Sequence, residues 1–147
     1  MNFPHKPIRL FAGVLSVLAV ASLSQVSQAT GLIGKEDLAG PWAITLTGDT
    51  GCGISTSLAT GTLDVNGTGL VTLRSHSSGC GNIVSTEKFQ VLTMSSNGSG
   101  TASLTCNNQV GCGWTFKIQV APDRTVFNLV DITDVGNNFL EGVAIHQ

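Results

Sequence analysis

Beyond Asp37 the apolar side chains fall on alternate positions, and no stretch shows the three-to-four-residue spacing of an amphipathic helix. Trp114, Phe116, Ile118 and Val120 stand in phase, with Thr115, Lys117 and Gln119 between them, so this run predicts a strand with one face in a core and the other in water. Less regular versions of the alternation predict further strands over residues 42–47, 54–58, 69–75, 87–91, 101–106, 125–132 and 139–145. Residues 63–65 either extend the second strand or stand alone.

Turn chemistry separates these runs. Asn66-Gly67 and Asn97-Gly98 supply the positive φ of a type I′ hairpin turn or a related tight loop. Pro122-Asp123 presets φ for another turn, and Gly136-Asn137-Asn138 makes a further break. Short strands joined by short turns form an antiparallel meander. The predicted fold is all-β, a single antiparallel up-and-down barrel of about eight strands, because closure removes the unpaired edges that an open sheet exposes. A two-sheet β-sandwich satisfies the same alternation and is the alternative.

An internal repeat accompanies the meander. Asn66-Gly67-Thr68-Gly69 recurs as Asn97-Gly98-Ser99-Gly100, Gly79-Cys80-Gly81 as Gly111-Cys112-Gly113, and Lys88-Phe89-Gln90-Val91 as Lys117-Ile118-Gln119-Val120, in the same order. Duplication of a hairpin plus one strand explains this order; independent turn chemistry explains the Asn-Gly pairs alone.

The N-terminal residues follow a different logic. Lys6 and Arg9 precede an apolar run over 10–20, and Ser27 and Ala29 offer the small side chains that signal peptidase accepts. Residues 1–29 therefore read as a signal peptide and 30–147 as one domain, placing the product in the periplasm or outside the cell. A retained signal anchor is the rival reading, but the apolar run is shorter than the roughly 20 residues an anchor needs. Removing 29 of the 147 residues leaves five basic residues against nine acids, a net charge of −4, which disfavours nucleic acid and anionic membranes as partners.

All four cysteines, Cys52, Cys80, Cys106 and Cys112, follow the cleavage point, and an even count in a small exported domain predicts two disulfides. Cys106 and Cys112 flank a short loop and are favoured as one pair, leaving Cys52 with Cys80. A four-thiolate metal site is the alternative, but paired Cys-x2-Cys spacing is missing, so neither metal nor cofactor is expected.

Leu38-Ala39-Gly40-Pro41-Trp42 opens the first predicted strand, and its Gly40-x-Trp42 resembles the opening of lipocalins and related calycin β-barrels. The resemblance implies that Trp42 closes one barrel end and packs beneath a basic residue from a late strand, for which Arg124 has the right chain position. Small barrel-type metalloprotease inhibitors and avidins share a similar opening. Avidins surround biotin with several tryptophans and a tyrosine, whereas this chain has two tryptophans and no tyrosine.

Candidates for catalysis are sparse. His76, in Ser75-His76-Ser77-Ser78, invites a nucleophile-and-base reading, but neighbouring side chains on an extended chain point to opposite faces. His146 stands near the C-terminus and is expected to be solvated. Asp131 with Asp134, or Asp49 with Asp64, are candidate paired carboxylates, although acids at strand ends are usually turn formers. Asn66 and Asn97 also match the N-glycosylation pattern, which turn chemistry explains equally well. Loops 75–82 and 107–113, tethered by cysteines, are candidate contact loops, since a tethered loop loses less entropy on binding.

The expected function is a non-catalytic binding module of partner-binding or inhibitor type. A carrier of a small apolar ligand, with a cavity among Trp42, Trp114, Phe116 and Phe127, is one alternative; an exported hydrolase and a structural envelope protein are the others. Aromatic residues are only 5% of the chain, which favours a filled interior over a hollow one.

Overall fold

A computed structural model describes residues 31–106, 113–133 and 139–147. A single-turn 3₁₀ helix, Glu36–Leu38, leads into eight strands: β1 (Gly40–Asp49), β2 (Ile54–Leu63), β3 (Thr68–Ser77), β4 (Gly81–Met94), β5 (Ser99–Cys106), β6 (Gly113–Val120), β7 (Val126–Asp131) and β8 (Phe139–His146). Each strand pairs antiparallel with the next, and β8 returns to β1 from Trp42↔His146 to Asp49↔Phe139. That last ladder closes the sheet and decides between barrel and sandwich, a choice that alternation alone leaves open.

All eight predicted strands are present, and most are longer than their apolar cores suggested. β2 runs on to Leu63, and β4 begins at Gly81, well before the alternation becomes apolar at Glu87. Leucines, valines and aromatics in phase within each strand fill the interior: Trp42, Phe89, Phe116 and Phe127 are fully buried together with Ile44, Leu104, Ile118 and Leu129. On the outer wall Lys88, Lys117 and Asn128 are exposed near the middle of their strands. Among the described residues no helix is long and apolar enough to cross a membrane.

The barrel end where β1 starts is closed. The chain before β1 caps it, with Leu38 fully buried and Ile33 donating its N–H to Ser96 O at 3.0 Å. Trp42 Nε1 donates to Leu38 O at 2.8 Å, and the Trp42 ring meets Phe127 at 4.8 Å and His146 edge-on at 4.9 Å. His146 is therefore half-buried against the cap, not solvated as expected.

The hairpin loops at this end share one build. Gly67 N–H donates to Asp64 O, and Gly98 N–H to Ser95 O; only the glycines have positive φ, 69° and 81°. A type I′ turn requires positive φ at both central residues, so these are the related tight loops, with the glycine alone left-handed. The two carbonyls then accept matching bonds, Gly67 O from Val91 N and Gly98 O from Val120 N, each 2.9 Å. The repeated Asn-Gly and Lys-x-Gln-Val segments thus dock on each other in the same way twice. Arg124 N–H likewise donates to Ala121 O, and Arg124 takes the left-handed position, at φ 61°.

Candidate functional site

Among the described residues, the opposite end of the barrel opens as a mouth. Inward-facing positions change character here: below lie leucines and aromatics, whereas the upper turns of β2, β3 and β4 present Ser57, Ser75, Ser85 and Glu87. Together with Leu46, Leu73, Leu104, Trp114 and Leu140 these residues line a cavity of about 190 Å³. Thr50 and Cys52 of the β1–β2 loop stand at its rim.

One expected disulfide forms part of that rim. Cys52 and Cys80 are bonded, with their Cα atoms 5.5 Å apart, and tie the β1–β2 loop to the β3–β4 loop. Gly79 N–H donates to Cys52 O at 2.9 Å and Ser78 N–H to Ile54 O at 3.1 Å, so backbone bonds hold the same two loops, and Cys80 N–H donates to Ser77 Oγ within the second. Closing a loop of this length is worth about 3.5 kcal/mol in the chain-entropy model. The second expected pair, Cys106 with Cys112, includes a residue outside the described segments.

Glu87 is the group in this mouth that sequence reasoning missed. Only 4% of its surface is exposed. Its Oε1 accepts from Ser85 Oγ at 2.7 Å, while Oε2 is shielded from solvent with no hydrogen-bond partner among the described residues. The signal was present: Glu87 stands in phase with Phe89 and Val91, at the inward positions of β4. A carboxylate at the apolar parity of a barrel strand is costly unless something compensates it.

The other candidates lie apart from it. His76 faces outward, with Nδ1 2.9 Å from Asn82 Oδ1. Asp49 Oδ1 accepts from Gly51 N, Asp64 Oδ1 from Asn66 N and Thr68 N, and Asp131 Oδ1 from Thr133 N, the short bonds of turn-forming acids. Asp134 is outside the described residues, as is loop 107–112. Trp42, Phe116 and Phe127 are packed in the closed part of the barrel, and Trp114, half-buried, lines the mouth. Asn66 and Asn97 sit exposed in their turns.

Arg124 and Trp42 share the closed end, but Arg124 is engaged elsewhere. Its Nε lies 2.9 Å from Asp37 Oδ1, and Nη2 donates to Gly31 O and Leu32 O at 3.3 and 3.4 Å. The Gly34 N–H bond to Asp37, followed by Arg124, holds the Asp37 carboxyl below its usual range. Arg124 thus clamps this end, and the buried, half-satisfied Glu87 lies at the other. Compared with known proteins, the chain matches no family and no curated sequence.

Proposed function

We propose that the domain is an exported, non-catalytic binding module that engages a protein partner through the rim of the mouth. The observation that carries this reading is the filling of the barrel. Packed side chains occupy it from Leu38 and Trp42 up to Leu104, and the mouth cavity, about 190 Å³, is smaller than the roughly 300–1,000 Å³ of a site that encloses a small-molecule ligand. Binding by the surface is then favoured over carriage inside, and the stapled rim offers loops that lose little entropy on contact. Mid-strand Lys88, Lys117 and Asn128 on the outer wall support an aqueous setting, since a membrane-spanning barrel carries an apolar belt there. The Cys52–Cys80 bond supports an oxidising compartment, the periplasm or the exterior.

Photo-crosslinking side chains placed in the full chain at Thr50 or Ser78 on the rim, and at Val65 or Asp123 on the closed end, test the reading in the producing cells. A discrete protein adduct from rim positions only is the expected result; adducts from the closed end alone, or none from the rim, overturn it. Mass analysis of the mature protein tests export in parallel, with an N-terminus at Thr30 and all four cysteines paired as the expected state.

A further inference from the structure

We infer that the mouth is a receptor for a primary ammonium group on an apolar stem, and that Glu87 is its counter-ion. The inference deepens the partner-binding reading and rests on it in one respect: the ammonium is assigned to a lysine side chain that the partner inserts.

The charge balance points to a cation from outside. Residues 31–147 contain five Lys or Arg and two His. Lys88, Arg74, Lys117 and His76 are exposed on the outer wall, Arg124 is paired with Asp37, Lys35 donates to Leu92 O, and His146 lies against Trp42. All of the chain's own cations after the signal segment are thus committed away from Glu87. Its Oε2 is left inside a mostly apolar wall with no partner among the described residues.

The lining selects the kind of cation. A hard divalent ion wants about six or more oxygen ligands, several of them anionic. The described residues contain no group of three or more metal-ligating side chains. Guanidinium binds best when its fork reaches both carboxylate oxygens freely, and Ser85 already takes one of the two acceptor sites of Oε1. A compact ammonium needs one strong acceptor and further hydroxyls, which the Glu87 carboxylate, Ser57 and Ser75 provide. Leu46, Leu104 and Leu140 suit a methylene stem, and the Trp114 indole adds a cation–π face. At about 30 Å³ per water-sized group, a cavity of about 190 Å³ takes roughly six such groups, close to the size of a lysine side chain.

The test uses the mature, disulfide-bonded protein and n-butylammonium chloride at fixed ionic strength, with n-butanol as the neutral isostere, followed by NMR. Saturable shifts at Leu46, Ser85, Leu104 and Trp114 but not at Trp42 are expected, with butanol binding at least tenfold more weakly and Glu87→Gln losing at least tenfold. Absence of saturation, equal binding of butanol, or an unaffected Glu87→Gln overturns the inference. If Glu87→Gln fails to fold, the comparison of butylammonium with butanol on the wild-type chain decides alone. The source is settled with acetyl-Gly-Lys-Gly-amide and its Nε-acetylated form. Binding of the free-lysine peptide alone supports a partner's lysine. Binding of butylammonium with exclusion of both peptides keeps the ammonium site and overturns its assignment to a partner.

Discussion

Arg124 reaches across the closed end of the barrel to Asp37, with Nε 2.9 Å from Oδ1, while its backbone holds φ at 61°. It is the one non-glycine residue with positive φ among the described residues, at the position where the loops of Gly67 and Gly98 use glycine. Backbone strain at Arg124 is retained because its side chain fastens the cap, through Asp37 and the carbonyls of Gly31 and Leu32.

Two opposing terms set the effect of replacing it. An ion pair with side chains 20% and 25% exposed contributes at most about 1 kcal/mol, and the left-handed conformation costs a non-glycine residue roughly 1–2 kcal/mol. Arg124→Gly loses the first and relieves the second, so its unfolding free energy stays within about 1 kcal/mol of wild type. Arg124→Ala keeps the strain and is destabilised relative to Arg124→Gly by about 1 kcal/mol. Both variants lose hydrogen-exchange protection at Ile33 and Leu38, and unchanged protection there defeats the clamp.

Acid acts on the same end. Asp37, Asp64 and Asp123 all have carboxyl pKa values below 3.8: Gly34 N–H and then Arg124 lower the first, Thr68 and Asn66 N–H the second, and Thr125 N–H the third. A carboxyl whose pKa falls on folding adds stability that is fully present above its unfolded value and is lost as pH drops through the folded one. Stability from these groups is therefore flat above about pH 5 and declines below about pH 4. Urea unfolding at pH 5.5 and 3.0 reads the difference, which shrinks in the triple variant Asp37→Asn, Asp64→Asn, Asp123→Asn.

Glu87 offers a stability test independent of any ligand. Replacing a buried, half-satisfied carboxylate by an apolar side chain of similar size removes an uncompensated polar group, which costs about 1–3 kcal/mol. Glu87→Leu is expected to raise the denaturant midpoint by a corresponding amount, with an unchanged m-value. A lower midpoint shows that Glu87 is satisfied in the folded protein and removes the reason for seeking its counter-ion.

Alternation along the chain was enough for all eight strands, and turn residues for the junctions at Asn66-Gly67, Asn97-Gly98 and Pro122-Asp123, because both signals are local. The Cys52–Cys80 bridge was also legible, through cysteine count and spacing. Closure was favoured over a sandwich but not decided by these local signals, and the clamp and the mouth were not legible at all. Trp42↔His146 pairing joins the two ends of the barrel sequence, Arg124 finds Asp37 across the cap, and a choice between barrel and sandwich depends on that same distant register. Glu87 lay in plain phase with Phe89 and Val91, yet its parity says only that it points inward. Whether a carboxylate there meets a cation, a hydroxyl or nothing depends on which side chains the other strands bring to the same level. Only the folded barrel decides that, since periodicity sets the face of each residue and the register between strands sets its neighbours.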